Sequence, residues 1–165
     1  MRDTSLAAAL LAALAVAGCS LRPVYSGGEA SAPASLMADI SIAPIPERAG
    51  FLVHQALEEQ LGRSVAAPHY RLEVALDDRI TAFGLRGDSS AARERRTLRA
   101  RYRLVETATG QVLLDDTAGA DAGIDRVSSN YAVVAAENAA LDRLCVDIAR
   151  QIRARLARHS RAAPK

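Results

Sequence analysis

Between Tyr70 and Val105 apolar and charged residues alternate almost without a break, and this period of two restricts the fold more than any other feature. Tyr70, Leu72, Val74, Leu76 and Ile80 take one parity, while Arg71, Glu73, Asp77 and Arg79 take the other. Further on, Leu98, Ala100, Tyr102 and Leu104 oppose Arg95, Thr97, Arg99, Arg101 and Arg103 in the same way. Successive side chains of a strand point to opposite sides, so both runs read as long strands with one apolar and one charged face. Gly84-Leu85-Arg86-Gly87-Asp88-Ser89-Ser90, which joins them, consists largely of turn residues.

The remaining elements follow from the same kind of patterning. A short strand is expected within Leu36 to Ile45, closed by Pro44 and Pro46. Glu47 to Leu61 carries Phe51, Leu52, Ala56, Leu57 and Leu61 at helical spacing, with an acid in the first turn and Gly62 as a stop. Thr109-Gly110 makes a tight turn into a fourth strand over Val112 to Ala118. After Ser128 and Ser129, either of which can cap, Asn130 to Arg158 sets Val134, Leu141, Leu144, Cys145, Ile148, Ile152 and Leu156 on one stripe. The order β-α-β-β-β-α predicts an α+β two-layer sandwich, a four-stranded mixed sheet with two helices packed on one face. A crossover helix after the first strand makes the second strand parallel to a neighbour, and the rest antiparallel.

At 165 residues the chain has the size of one domain. Its 35 alanines, 4% aromatic content and lack of Trp require a core of small and aliphatic side chains. A balance of 21 basic and 19 acidic residues, net +2, argues against a polybasic nucleic-acid tail. All the basic residues except Lys165 are Arg, which GC-rich coding explains as readily as a need for anion-binding guanidinium groups.

Enzyme signatures fail one by one. There is no G-x-S-x-G elbow, P-loop, H-E-x-x-H or cysteine pair, and His54, His69 and His159 lack metal-ligand spacing. No catalytic residue, metal or cofactor is therefore assigned. The pairs Asp77-Asp78 and Asp115-Asp116 read as strand ends and exposed turns rather than cation sites. His54 reads as a surface or boundary residue, and Cys145 as a buried helix residue rather than a reactive thiol. One constellation stands above this background: Arg95, Arg99, Arg101 and Arg103 share a strand face, joined by Arg71 and Arg79 if the two long strands are neighbours. Two readings stay open. The face is either solvated and internally salt-bridged, with Glu73 and Asp77 offsetting its charge, or it meets an anionic partner through bidentate guanidinium contacts. The connection from Gly84 to Ala92 belongs to the second reading.

The N-terminus reads as targeting. Arg2 precedes an apolar run from Leu6 to Ala17, long enough for a signal-peptide core and too short for the roughly 20 residues that span a bilayer. It ends in Val16-Ala17-Gly18-Cys19, the pattern of a lipobox; the alternative is an ordinary signal peptide with an incidental Cys. Residues 1–18 are then a signal peptide and Cys19 the lipidated first residue of the mature chain, held by two or three acyl chains. Ser20 replaces the Asp that retains bacterial lipoproteins at the inner membrane, which favours the periplasmic side of the outer membrane. Residues 19–35 form the anchor and a Gly/Ser/Ala/Pro tether, residues 36–158 the domain, and residues 159–165 a basic tail.

Cys19-Ser20-Leu21-Arg22-Pro23-Val24-Tyr25 resembles the Cys-Gly-Phe-Arg-Pro-Leu-Tyr that opens the mature chain in alphaproteobacterial members of the LPS-assembly lipoprotein family (LptE). Cys19, Arg22, Pro23 and Tyr25 match, and Ser20, Leu21 and Val24 depart. The resemblance implies a two-helix, four-strand domain lodged as a plug inside the LPS-assembly β-barrel LptD. There it would help the barrel assemble and assist lipopolysaccharide delivery to the outer leaflet. It assigns no role to any single arginine. An auxiliary lipoprotein of a phospholipid-trafficking ABC system shares the anchor and the small α+β domain and is the alternative, and a small periplasmic hydrolase is the more distant one.

Overall fold

A computed structural model of the chain describes residues 32–62, 64–85 and 91–162. The signal segment, Cys19, the family-like heptapeptide, most of the tether, the tip of the long hairpin and residues 163–165 lie outside the described residues. In chain order the elements are α1 (Ala32–Ala38), β1 (Ile40–Ile42), α2 (Glu47–Leu61), β2 (Tyr70–Leu85), β3 (Ala91–Glu106), β4 (Val112–Asp125) and α3 (Asn130–Ala162). The strands form one sheet in the order β1-β2-β3-β4, with β1 parallel to β2 and the other pairs antiparallel. This is the expected α+β architecture, with the crossover through α2 making the single parallel pair.

Several boundaries differ from the sequence reading, each for a local reason. Residues 32–35, expected in the tether, begin a short helix whose Met37 joins the core, so the first strand shrinks to three residues. Pro44 and Pro46 have no N–H to offer, and the Ala43 N–H to Leu72 carbonyl bond (2.9 Å) ends the β1 ladder. Strand β4 continues beyond Ala118 to Asp125 because Ala118, Ala120, Ala122 and Ile124 stay on the inner parity opposite β3. Helix α3 extends through His159 to Ala162, so half of the expected tail is helical.

The helix caps follow from sequence. At the start of α3 the Ala132 N–H donates to Ser129 Oγ (3.4 Å), and α2 ends at Gly62, whose positive φ of 86° permits its N–H to bond the Glu58 carbonyl. Both long helices lie on one face of the sheet, over Leu72, Leu98, Ala100, Tyr102 and Leu104. From α3, Leu141, Leu144, Cys145, Ile148, Ile152 and Leu156 complete this core, and from α2, Val53 and Leu57. Val134, expected on the α3 stripe, is exposed, and Val133 takes its place. Helix α2 comes close to the chain before it: a Cβ on Gly50 would stand 2.5 Å from the Ile45 carbonyl oxygen, so only Gly fits there. Among the described residues no helix is long and apolar enough to cross a membrane.

Candidate functional site: the charged face of the sheet

Register decides which side chains share the uncovered face. In β2 and β3, Arg71 stands opposite Val105, Glu73 opposite Arg103, Ala75 opposite Arg101, Asp77 opposite Arg99 and Arg79 opposite Thr97. In β4, Asp115 opposes Arg103, Thr117 opposes Arg101, Gly119 opposes Arg99 and Asp121 opposes Thr97. Apart from Val105, which is itself buried, these point away from the helices, because the alternate residues are the buried ones. Arg71, Arg79, Arg95, Arg99, Arg101 and Arg103 thus do share one face, and Arg93 and Phe83 join them toward the hairpin tip.

The face is a ladder of alternating sign. Arg71 and Arg103 both bind Glu73, at 2.9 and 2.8 Å, and Arg79 binds Asp77 at 2.8 Å. Arg101 makes a two-pronged contact with Asp115 (3.0 and 2.8 Å). Arg99 reaches both oxygens of Asp121 (3.3 and 3.1 Å) and the Ala120 carbonyl (3.1 Å). Arg93 binds Asp125 at 3.1 Å, whereas the Arg95 guanidinium lies 5.5 Å from the centre of the Phe83 ring. Gly119 makes the Arg99 contact possible, since a Cβ there would stand 2.8 Å from Arg99 Cδ where that side chain crosses β4. Among the described residues, seven guanidinium groups therefore share the face with the five carboxylates Glu73, Asp77, Asp115, Asp121 and Asp125.

Sequence reasoning placed Glu73 and Asp77 here and missed Asp121 and Asp125. Gly119 and Gly123 interrupted the strand pattern, although the spacing Asp115, Thr117, Asp121, Asp125 keeps period two and was the available signal. These ion pairs are solvated. The Arg101 bond holds the Asp115 carboxyl below the usual carboxylate range, and Asp121 is lowered first by the Thr97 hydroxyl (2.6 Å) and then by Arg99. Exposed pairs of this kind contribute little to stability.

Arg96 belongs to the opposite parity and to the protein interior. Its guanidinium holds both oxygens of Asp78 (2.9 and 2.5 Å) and donates to the Glu137 carbonyl (3.0 Å), joining β2 and β3 to the first turns of α3. The two acidic pairs are thereby split across the sheet. Asp77 faces out to Arg79 and Asp78 in to Arg96; Asp115 faces out to Arg101 and Asp116 binds Arg155 (2.6 Å). They lie within strands, not at strand ends as expected, and neither pair can converge on one cation.

The histidines stand apart from one another. His54 is half-buried and 3.8 Å from Glu58, in a cleft of about 570 Å³ between β1 and α2 that also holds Ser41 and Ser64. Both hydroxyls are turned to backbone carbonyls, Ser41 to Tyr70 (3.1 Å) and Ser64 to Val65 (3.3 Å), so neither is bonded to the imidazole. His69 is exposed and binds Asp39 (2.8 Å), while His159 lies on the last turn of α3. No group of three or more His, Cys, Asp or Glu side chains among the described residues could hold a metal ion. Cys145 is buried against α2, and loss of hydration pushes its thiol up to about 11. The native chain should therefore resist alkylation at Cys145 at pH 8 and accept it after unfolding, which mass spectrometry of iodoacetamide-treated protein with and without denaturant would register. Rapid native modification would contradict the burial.

Comparison with known proteins gives a consistent result. A family model described as "LptE: Lipopolysaccharide-assembly" matches residues 37–156. None of the curated proteins matches the sequence. Among solved structures, a Caulobacter crescentus protein described as a lipoprotein is similar at 20% identity and a TM-score of 0.69, over 82% of this chain and 100% of that one. A minor lipoprotein of Acinetobacter baumannii is similar at 15% identity and a TM-score of 0.60, over 73% of this chain and 92% of that one. The rare lipoprotein B of Shewanella oneidensis follows at 13% identity and a TM-score of 0.52, over 72% and 93%. At these identities the likeness speaks for the fold.

Proposed function

The chain belongs to the LptE lipopolysaccharide-assembly family, and we propose that it acts there as a lipid-anchored plug of the LPS-translocating β-barrel. The family is one of non-enzymatic outer-membrane lipoproteins that serve the lipopolysaccharide transport machinery. In this reading the signal segment is removed before Cys19, acyl chains on that residue hold the protein at the periplasmic side of the outer membrane, and the domain enters an LptD-type barrel. There it helps the barrel assemble and assists delivery of lipopolysaccharide to the outer leaflet.

The observation that carries this reading is the uncovered sheet face. A plane of guanidinium and carboxylate groups cannot be placed against hydrocarbon, yet it suits the polar interior wall of a large barrel, where both signs of charge find partners. The two signs also permit a second task for the same groups, because a phosphate can replace a carboxylate on a guanidinium fork. Pull-down of the tagged chain from detergent-solubilised outer membranes, followed by mass spectrometry, should recover a one-to-one complex with a large β-barrel. Recovery of inner-membrane transporter subunits alone, or of no partner, would overturn the plug reading and favour the auxiliary-lipoprotein alternative.

A further inference from the structure

The C-terminal half of α3 is pinned over the β4 edge by a side chain. Gln151 donates to the Gly119 carbonyl (3.0 Å) and accepts the Gly119 N–H (3.3 Å). Arg155 and Arg158 follow Gln151 at i+4 and i+7, so the three share one flank of the helix, the flank that faces this edge. Beneath them the register sets Tyr102 of β3 opposite Asp116 of β4. Together they line a cleft of about 330 Å³, whose apolar part is supplied by Ala118 and Ala154.

Tyr102 is the residue that packing alone does not account for. It is only 2% exposed, and its hydroxyl has no hydrogen-bond partner among the described residues. A phenol placed in a core normally finds a partner for its O–H, and Phe would fill the same space with no polar atom unmet. Here the hydroxyl belongs to the cleft lining. Burial first, and the Asp116 carboxylate second, push it up to about 12, so it keeps its proton and stands as a donor.

The charges around this hydroxyl are unevenly answered. Arg155 holds one oxygen of Asp116 through Nε (2.6 Å), and the Thr117 N–H holds the other (2.8 Å), so the carboxylate is fully engaged. Arg158 is exposed and binds no acid among the described residues, yet its charge acts on the Tyr102 hydroxyl together with that of Arg155. Two guanidinium groups against one carboxylate leave the cleft with one positive charge over.

From the unpartnered hydroxyl and the unanswered guanidinium we infer that this cleft binds a phosphate group, with Arg158 as a fork on two of its oxygens, Tyr102 donating to a third and Arg155 adding charge. A single excess charge matches a phosphodiester, and the place of the cleft indicates where that diester comes from. Ser35 and Leu36 of α1 lie beside His159 and Ser160, so the chain from Cys19 enters the domain at the end of α3 that carries Arg155 and Arg158. Cys19 precedes Ala32 by 13 residues, a reach of at most about 45 Å, which keeps this end next to the membrane that holds the anchor. The ligand is accordingly a phospholipid headgroup. Only this choice of source rests on the Cys19 anchor. The phosphate site itself depends on neither the anchor nor the barrel, and it lies on the helix side of the sheet, apart from the arginine ladder.

Titration calorimetry on the full chain in neutral detergent tests this with two soluble probes, inorganic phosphate and glycerophosphoglycerol, the deacylated headgroup of phosphatidylglycerol. The diester should bind one-to-one and more tightly than inorganic phosphate. Arg158→Gln and Tyr102→Phe should each weaken it about tenfold, the equivalent of one charge-assisted contact, whereas Arg99→Ser with Arg101→Ser should leave it unchanged. Tyr102→Phe keeps the buried ring, and since the hydroxyl makes no bond in the free chain, its urea midpoint should match that of the parent. A large drop in that midpoint would assign the hydroxyl to the core and speak against the site. Inorganic phosphate bound as tightly as the diester would support the site and overturn the headgroup as its source. No saturable binding of either probe, or equal affinity in every variant, would overturn the inference.

Discussion

Replacing Arg96 by Ala should lower the stability of the domain by about 3 kcal/mol, the range for removing one partner of a largely buried ion pair. The Arg96 side chain is 12% exposed and its partner Asp78 19%, so the truncation leaves a carboxylate with little water to take over from the guanidinium. The same change removes the Arg96 bond to the Glu137 carbonyl, which ties α3 to the sheet. Arg96→Met combined with Asp78→Ala removes both charges together and should recover most of the loss, because an apolar pair of similar bulk carries no unmet solvation demand. Urea unfolding followed by circular dichroism measures both, as shifts of the midpoint at constant slope. A single-substitution cost below about 1 kcal/mol would mean that solvent reaches Asp78 freely and that the bridge is a surface pair.

Replacing both Arg99 and Arg101 by Ser should weaken binding of purified lipopolysaccharide by about a hundredfold at low salt if these groups hold its phosphates, taking roughly tenfold for each charge-assisted contact. The effect should shrink as salt screens the exposed charges. The ladder adds a sharper expectation in the opposite direction. Arg101 is already engaged by Asp115, so Asp115→Asn releases it and should strengthen the same binding severalfold. Titration calorimetry or surface plasmon resonance on folded variants reads both changes. Unchanged affinity for the double substitution would remove the ligand role and leave the face to the barrel wall. Acid should leave the pair intact over a wide range. A carboxyl lowered in the folded state adds stability that is present above the unfolded value, about 3.9, and lost only as the pH falls through the lower folded one. Competition between Asp115 and a phosphate for Arg101 therefore persists at mildly acidic pH.

Much of this architecture is legible in the amino-acid sequence alone. Alternation from Tyr70 to Val105 depends only on the pleat of each strand, so the charged face, its six leading arginines and its separation from the core can be read residue by residue. The crossover and the long C-terminal helix are equally legible, because Pro44, Pro46, Gly62 and Ser129 act on the backbone next to them.

Where local signals compete, sequence patterning misleads. Gly119 and Gly123 hide the far half of β4, and with it Asp121 and Asp125, while Ala and Pro conceal the short helix at Ala32–Ala38. What only the tertiary structure decided is which charge answers which. Arg96 resembles the arginines around it in sequence, yet one step of parity turns it inward to Asp78, and the capping of the β4 edge by Gln151 joins residues 32 positions apart. Faces follow from a two-residue repeat carried by each strand alone, whereas partners require strands and helices distant in sequence to be set in register, and no local pattern records that.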